Sequence, residues 1–109
     1  MEDLREAFCR MIPGFQAIFG TTLEQIILYG STARGTQSEE SDIDIAVIVR
    51  KHTEEMHDQM IDLTVELDLE YNKVFSVLLI DYDNFREWED VLPLYKNIKK
   101  DGILLWNAA

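Results

Sequence analysis

The chain has 109 residues, 47% of them hydrophobic and 28% charged. That composition supports one modest core and argues against an extended disordered chain. Its 21 acidic residues against 10 basic ones give a formal net charge of −11, too few cations for the broad basic face that non-specific nucleic-acid binding requires.

The acidic balance fits a basic partner, or clustered carboxylates neutralised by metal ions. Cys9 is the one cysteine, so no intrachain disulfide forms, and its apolar neighbours predict a buried free thiol. No apolar run is long enough to span a bilayer. The opening MEDLRE is acidic and lacks the apolar segment of a signal peptide. A single domain over residues 1–109 in the cytoplasm, with no membrane or nucleic-acid partner, is the expectation.

In chain order, Leu4, Phe8, Ile12, Phe15 and Phe19 recur at helical spacing. Pro13-Gly14 interrupts them, which predicts a kink or two short helices meeting there. Gly20-Thr21-Thr22 reads as a turn. Ile26 to Tyr29 reads as a buried strand ending at glycine, and Ile43 to Val49 as a second. Thr53 is placed to cap a helix whose first turn carries Glu54 and Glu55. Met56, Met60, Leu63, Leu67 and Tyr71 continue that helix. Alternation of Val65, Leu67, Leu69 and Tyr71 with acids imitates a strand, but no turn residue intervenes, so one helix is preferred, ended by Asn72-Lys73. Val74 to Ile80 is nearly all apolar and reads as a central strand. Pro93 suits the first turn of a last helix, with Lys99, Lys100 and Gly102 at its end. ILLW, from Ile103, forms an edge strand or a docked tail. Helices and strands in this order predict an α/β (α+β) fold, with a small mixed β-sheet flanked by helices.

Trp88, Tyr95 and Trp106 read better as closing a small core than as a partner surface. His52 and His57 sit in charged segments and read as surface residues, Glu39-Glu40 as solvated, and Met56 and Met60 as core.

One stretch, GSTARGTQSEESDIDIAV, concentrates the chemistry. Gly30 and Ser31 end the first strand, where a glycine admits close backbone approach and a helix start offers N–H groups to an anion. Arg34 lies one helical turn beyond Ser31, so it faces the same way if STARG is helical. These parts favour bound phosphate. Asp42 and Asp44 open the second strand and, with a period of two, share a face. Adjacent like charges need a counterion, and Mg²⁺, which takes carboxylate and phosphate oxygens, is the natural one. Such ions can clamp the attacking and leaving oxygens of nucleotidyl transfer. Ser41 is placed to orient a carboxylate. Each part alone is common; their combination at this spacing is specific.

GSTARGTQSEESDIDIAV resembles the Gly-Ser…Asp-x-Asp signature of the DNA polymerase β-like nucleotidyltransferases. More narrowly, the chain looks like the minimal nucleotidyltransferases, often antitoxins paired with HEPN-domain toxins. IFGTTLEQIILYGS and PLYKNIKKDGILLW share the likeness, so it covers most of the chain. The resemblance implies a polymerase β-like palm, with Gly30, Ser31 and Arg34 on a nucleoside triphosphate such as ATP and Asp42 and Asp44 as catalytic ligands of Mg²⁺. It also implies AMP transfer to a tyrosine hydroxyl of a HEPN partner. Members of the superfamily usually add a third carboxylate from a neighbouring strand. Here Ser76 stands where that acid is expected, leaving Glu66, Asp68 and Asp81 as candidates. Two other readings stay open: a weak or inactive antitoxin acting by contact alone, and a subunit modifying a small molecule. A homo-oligomer also stays open.

Overall fold

The computed structural model describes the backbone of residues 2–35 and 42–108 and, Glu2, Asp3, Ser31 and Arg34 excepted, their side chains. The elements are α1 (Glu2–Phe19), β1 (Leu23–Tyr29), α2 (Gly30–Arg34), β2 (Ile43–Val49), α3 (Glu54–Tyr71), β3 (Phe75–Asp81), α4 (Tyr82–Trp88), α5 (Pro93–Asp101) and β4 (Ile103–Asn107), with a 3₁₀ turn between α1 and β1. The strands form one sheet in the order β3-β2-β1-β4. β1 runs antiparallel to β2 and β4, whereas β2 and β3 are parallel. This is the mixed sheet flanked by helices that the sequence predicts.

The sheet separates two apolar layers. Ile26, Leu28, Ile43, Ile45, Val47 and Val49 face α1 and α3, packing with Met11, Phe15, Met60 and Leu67. Ile27, Ala46, Ile48 and Ile80 face the other way and pack with Phe85 of α4 and Ile98 of α5. The strand period of two assigns alternate residues of β2 to these layers.

Four expectations change, Trp88 among them, which is exposed and does not close the core. Of the kink or pair of short helices expected at Pro13, the pair does not form: α1 is one helix through Pro13. Its buried face runs Leu4, Ala7, Met11, Phe15, Phe19, with Phe8 and Ile12 at the margin; Cys9 is therefore turned outward and exposed. β3 is an edge strand, not a central one, because it pairs only with β2. Its continuous apolar run has a different cause: Phe75, Val77 and Leu79 meet the α1/α3 layer while Leu78 and Ile80 meet the α4/α5 layer. Covering both faces makes a strand apolar throughout, wherever it lies in the sheet.

The capping and helix-end signals hold. The Thr53 hydroxyl accepts a hydrogen bond from the Met56 N–H at 3.1 Å, and Asn72 ends α3 in the left-handed region at φ 52°. Pro93 opens α5, and ILLW forms the outer strand β4 beside β1. Tyr95 packs on Phe85 with the rings tilted at 49° and their centroids 5.3 Å apart and Trp106 packs on the α1 side, whereas Trp88 stays exposed. Met60 is core, Met56 packs at its margin and His52 is exposed. Glu39, Glu40 and Ser41 lie outside the described residues. Among the described residues, no helix is long and apolar enough to cross a membrane.

Leu67 is fully buried and joins α3 to the sheet. Leu67→Ala should destabilise the fold by about 2–5 kcal/mol, measured by chemical denaturation; a loss below about 1 kcal/mol would show that α3 is not anchored there.

Candidate active site

The motif residues gather at one end of the sheet, where β1 finishes and β2 and β3 begin. β1 ends at Tyr29, and Gly30 turns the chain into α2 with φ +74°. That backbone favours glycine. There is also no room for a side chain: a Cβ built on Gly30 would overlap the Asp44 carboxylate oxygen, with Asp44 Cγ at 3.1 Å and Cβ at 3.3 Å. The glycine turn and the second aspartate of Asp-x-Asp are thus one packed unit, although thirteen residues separate them in sequence.

The helical condition set for STARG is met from Ser31 to Arg34, with Gly35 outside the helix: α2 runs Gly30–Arg34 and has only five residues. Its dipole is correspondingly small, and the N–H groups of its first turn have no intrahelical acceptor. Thr32 is buried in α2, and its hydroxyl has no hydrogen-bond partner among the described residues. Burying a hydroxyl unpaired costs roughly 1–3 kcal/mol. Ser31 and Arg34 are placed in α2 by backbone; the direction of the Arg34 side chain lies outside the described set.

Asp42 is exposed and stands one residue before β2, so the strand starts at Ile43. Asp44 is half-buried and lies directly across from Tyr29 on β1 and beside Ser76 on β3. Alternation puts Asp44 on the side of Ala46 and Ile48, the α4/α5 face. The Tyr29 phenol is raised above its ordinary pKa, first by burial and second by the Asp44 charge. Tyr29 is the site neighbour that sequence reasoning missed. Its signal was its place directly before Gly30, at the end of an antiparallel partner of β2.

The topology places Ser76 and each candidate for the third acid. Ser76 is exposed and is the register partner of Asp44, so the position expected to hold a carboxylate holds a hydroxyl. Asp81 is at the opposite end of β3, about 16 Å along the strand from Ser76, and its carboxylate accepts from the Asn84 N–H to cap α4. Glu66 and Asp68 are on α3, which packs on the other face of the sheet. Asp68 is also committed, accepting from the Phe75 N–H at 2.8 Å. Among the described residues no three His, Cys, Asp or Glu side chains form a cluster fit for a metal. Asp44 stands at the glycine turn and Asp42 two residues before it in the chain; their carboxylate oxygens are of the hard kind that a magnesium-like cation takes together with phosphate and water.

A strand–glycine turn–short helix facing an aspartate on the adjacent strand of a mixed sheet is the architecture of a polymerase β-like nucleotidyltransferase palm. The sequence profile of the nucleotidyltransferase domain matches residues 1–105; the chain belongs to this family and is a nucleotidyl-transferring enzyme. A provisionally named protein adenylyltransferase of Methanocaldococcus jannaschii is 32% identical over 87 residues, 77% of this chain and 79% of that protein. A second protein of that organism, with the same provisional name, is 38% identical over 66 residues, 58% of this chain and 45% of its own. Among solved structures, a toxin–antitoxin with AMP-PNP superposes with TM-score 0.58 at 25% identity, covering 90% of this chain and 72% of that one. A tri-AMPylated Shewanella oneidensis HEPN toxin in complex with its MNT antitoxin gives TM-score 0.57 at 20% identity, over 98% and 73%, a likeness of fold.

Gly30→Ala should destabilise the protein by on the order of 1–3 kcal/mol through its left-handed backbone and the overlap with Asp44. The same change should cost less in an Asp44→Ala background; an additive double-mutant cycle in denaturant would contradict the shared packing. Asp44→Asn should also lower the pKa of Tyr29 yet leave it above the ordinary phenol value, since burial is the larger cause. The Tyr29→Phe difference in the ultraviolet tyrosinate titration measures this, and no change would show that Asp44 does not act on the phenol.

Proposed function

We propose that this end of the sheet transfers AMP from ATP to a hydroxyl of a protein partner, as the antitoxin member of a HEPN/MNT toxin–antitoxin pair. The observation that carries the reading is the unit formed by Gly30 and Asp44, in which the phosphate turn and the acidic strand end are mutually fitted. The names of the similar proteins support the kind of acceptor and the nucleotide, because they include protein adenylyltransferases and a HEPN toxin modified by AMP.

In this reading the backbone of Gly30 and Ser31 receives the triphosphate, with Arg34 assisting. Asp42 and Asp44 hold Mg²⁺, which when bound neutralises phosphate charge. The acceptor hydroxyl oxygen bonds to the α-phosphorus, and the bond from that phosphorus to the bridging oxygen breaks. Pyrophosphate leaves with the electron pair, and the hydroxyl proton passes to a neighbouring base or water. Tyr29 lies directly across from Asp44 on the neighbouring strand.

Incubating the chain with α-labelled ATP, Mg²⁺ and its HEPN-type partner should label the partner. Asp42→Asn with Asp44→Asn should lower the rate at least on the order of 100-fold, since a metal supplies several kcal/mol to the transition state. Equal labelling by the double variant overturns the assignment. Ser76→Asp should lower the Mg²⁺ concentration needed for half-maximal rate by placing a third carboxylate beside Asp44; an unchanged requirement would mean that β3 does not reach the metal.

The exposed Ser76 in the place of an acid supports a second reading, neutralisation of the partner by contact alone. Full neutralisation by the double aspartate variant would favour it.

A further inference from the structure

α3 carries two apolar stripes. Met60 and Leu67 are buried toward the sheet. Ile61, Val65 and Leu69 follow one another at four-residue spacing on a different side and are 44%, 49% and 80% exposed. At about 100° per residue, Leu69 lies about 180° from Met60, so this second stripe takes no part in the core. Val74, just past the helix, is also exposed, at 56%. Single exposed aliphatics are ordinary, but three in a row along one side of a helix mark a contact surface.

The charges around the stripe select what fits it. α3 contains seven carboxylates and no lysine or arginine. Glu54, Asp58, Asp62 and Glu66 are exposed and fall along or beside the stripe. Facing a second copy of this surface would set carboxylate against carboxylate. An anionic bilayer or a nucleic acid would be repelled in the same way. An aliphatic seam bordered by lysine and arginine meets both the stripe and its acids.

The stripe also leads toward the aspartates. The Val74 carbonyl accepts from the Ile43 N–H at 2.9 Å, and Ile43 stands between Asp42 and Asp44. A helix lying along Ile61, Val65 and Leu69 therefore ends next to the strand ends that carry the proposed chemistry, on the face of the sheet away from Asp44.

We propose that the Ile61–Val65–Leu69 stripe of α3 docks a basic amphipathic helix of the protein acceptor, holding the acceptor while its hydroxyl reaches the aspartate end. This rests on the proposed transfer to a protein for its purpose, but docking is read in binding alone, without ATP.

The probe is a labelled synthetic helix with a leucine seam bordered by lysines, titrated with the full chain and followed by anisotropy. Wild type should bind it, more weakly as salt rises. Val65→Ser with Leu69→Ser, checked as folded by circular dichroism, should weaken binding at least roughly tenfold, and Asp62→Lys with Glu66→Lys should do the same. A glutamate-bordered peptide with the same seam should not bind. Asp42→Asn with Asp44→Asn should bind as wild type does, so a chain that docks the peptide but transfers no label would count against the transfer reading alone. Wild-type binding to neither peptide or equally to both, or undiminished binding by the serine variant, overturns the docking proposal. So does a concentration-dependent dimer abolished by the same serine substitutions.

Discussion

The fit between Gly30 and Asp44 is the constraint on which the rest of the site depends. A left-handed turn at the end of β1 leaves a space that the carboxylate of the neighbouring strand fills. Any side chain at position 30 would push Asp44 away, and any shift in β1–β2 register would take Asp44 out of line with Tyr29. The antiparallel register therefore does chemical work. It brings a glycine turn and an acid into contact although the loop from Thr36 to Ser41 parts them in sequence.

The sheet around this contact is arranged so that its two faces have different duties. α1 and α3 cover one face and bury the larger core. α4 and α5 cover the other, on the side to which Asp44 belongs. α3 is then free to present a second apolar stripe outward without exposing the core, because Met60 and Leu67 already anchor it. Under the two proposals the chain would separate holding from reacting: α3 would grip a partner, and the sheet end beside it would carry the phosphate turn and the carboxylates.

Much of this was legible in the sequence, because the strongest signals are local. Thr53 as cap, Asn72 as helix end and Pro93 as helix start each act within a turn, and each was placed correctly. The Gly-Ser turn and Asp-x-Asp were readable because strand alternation and glycine's backbone freedom are also local. What was hidden was non-local. The edge position of β3 depends on which strand pairs with which, and an apolar run cannot tell a central strand from an edge strand covered on both faces. Cys9 was misplaced because the buried face of α1 follows Ala7 and Met11, small and flexible residues, more than the bulky Phe8. Tyr29 became a site residue only once β1 and β2 were paired. The fate of Glu66, Asp68 and Asp81 needed the layer order, which puts the first two across the sheet and the third at its far end.

The most direct test of the glycine–aspartate site is paramagnetic mapping. Mn²⁺ added with a non-hydrolysable ATP analogue to isotope-labelled protein should broaden the amide signals of Gly30, Ser31, Asp42, Asp44 and Ser76 first, and Asn84 and Glu66 little. Broadening centred on Asp81 or on α3, or spread evenly over the acidic surface, would contradict the account.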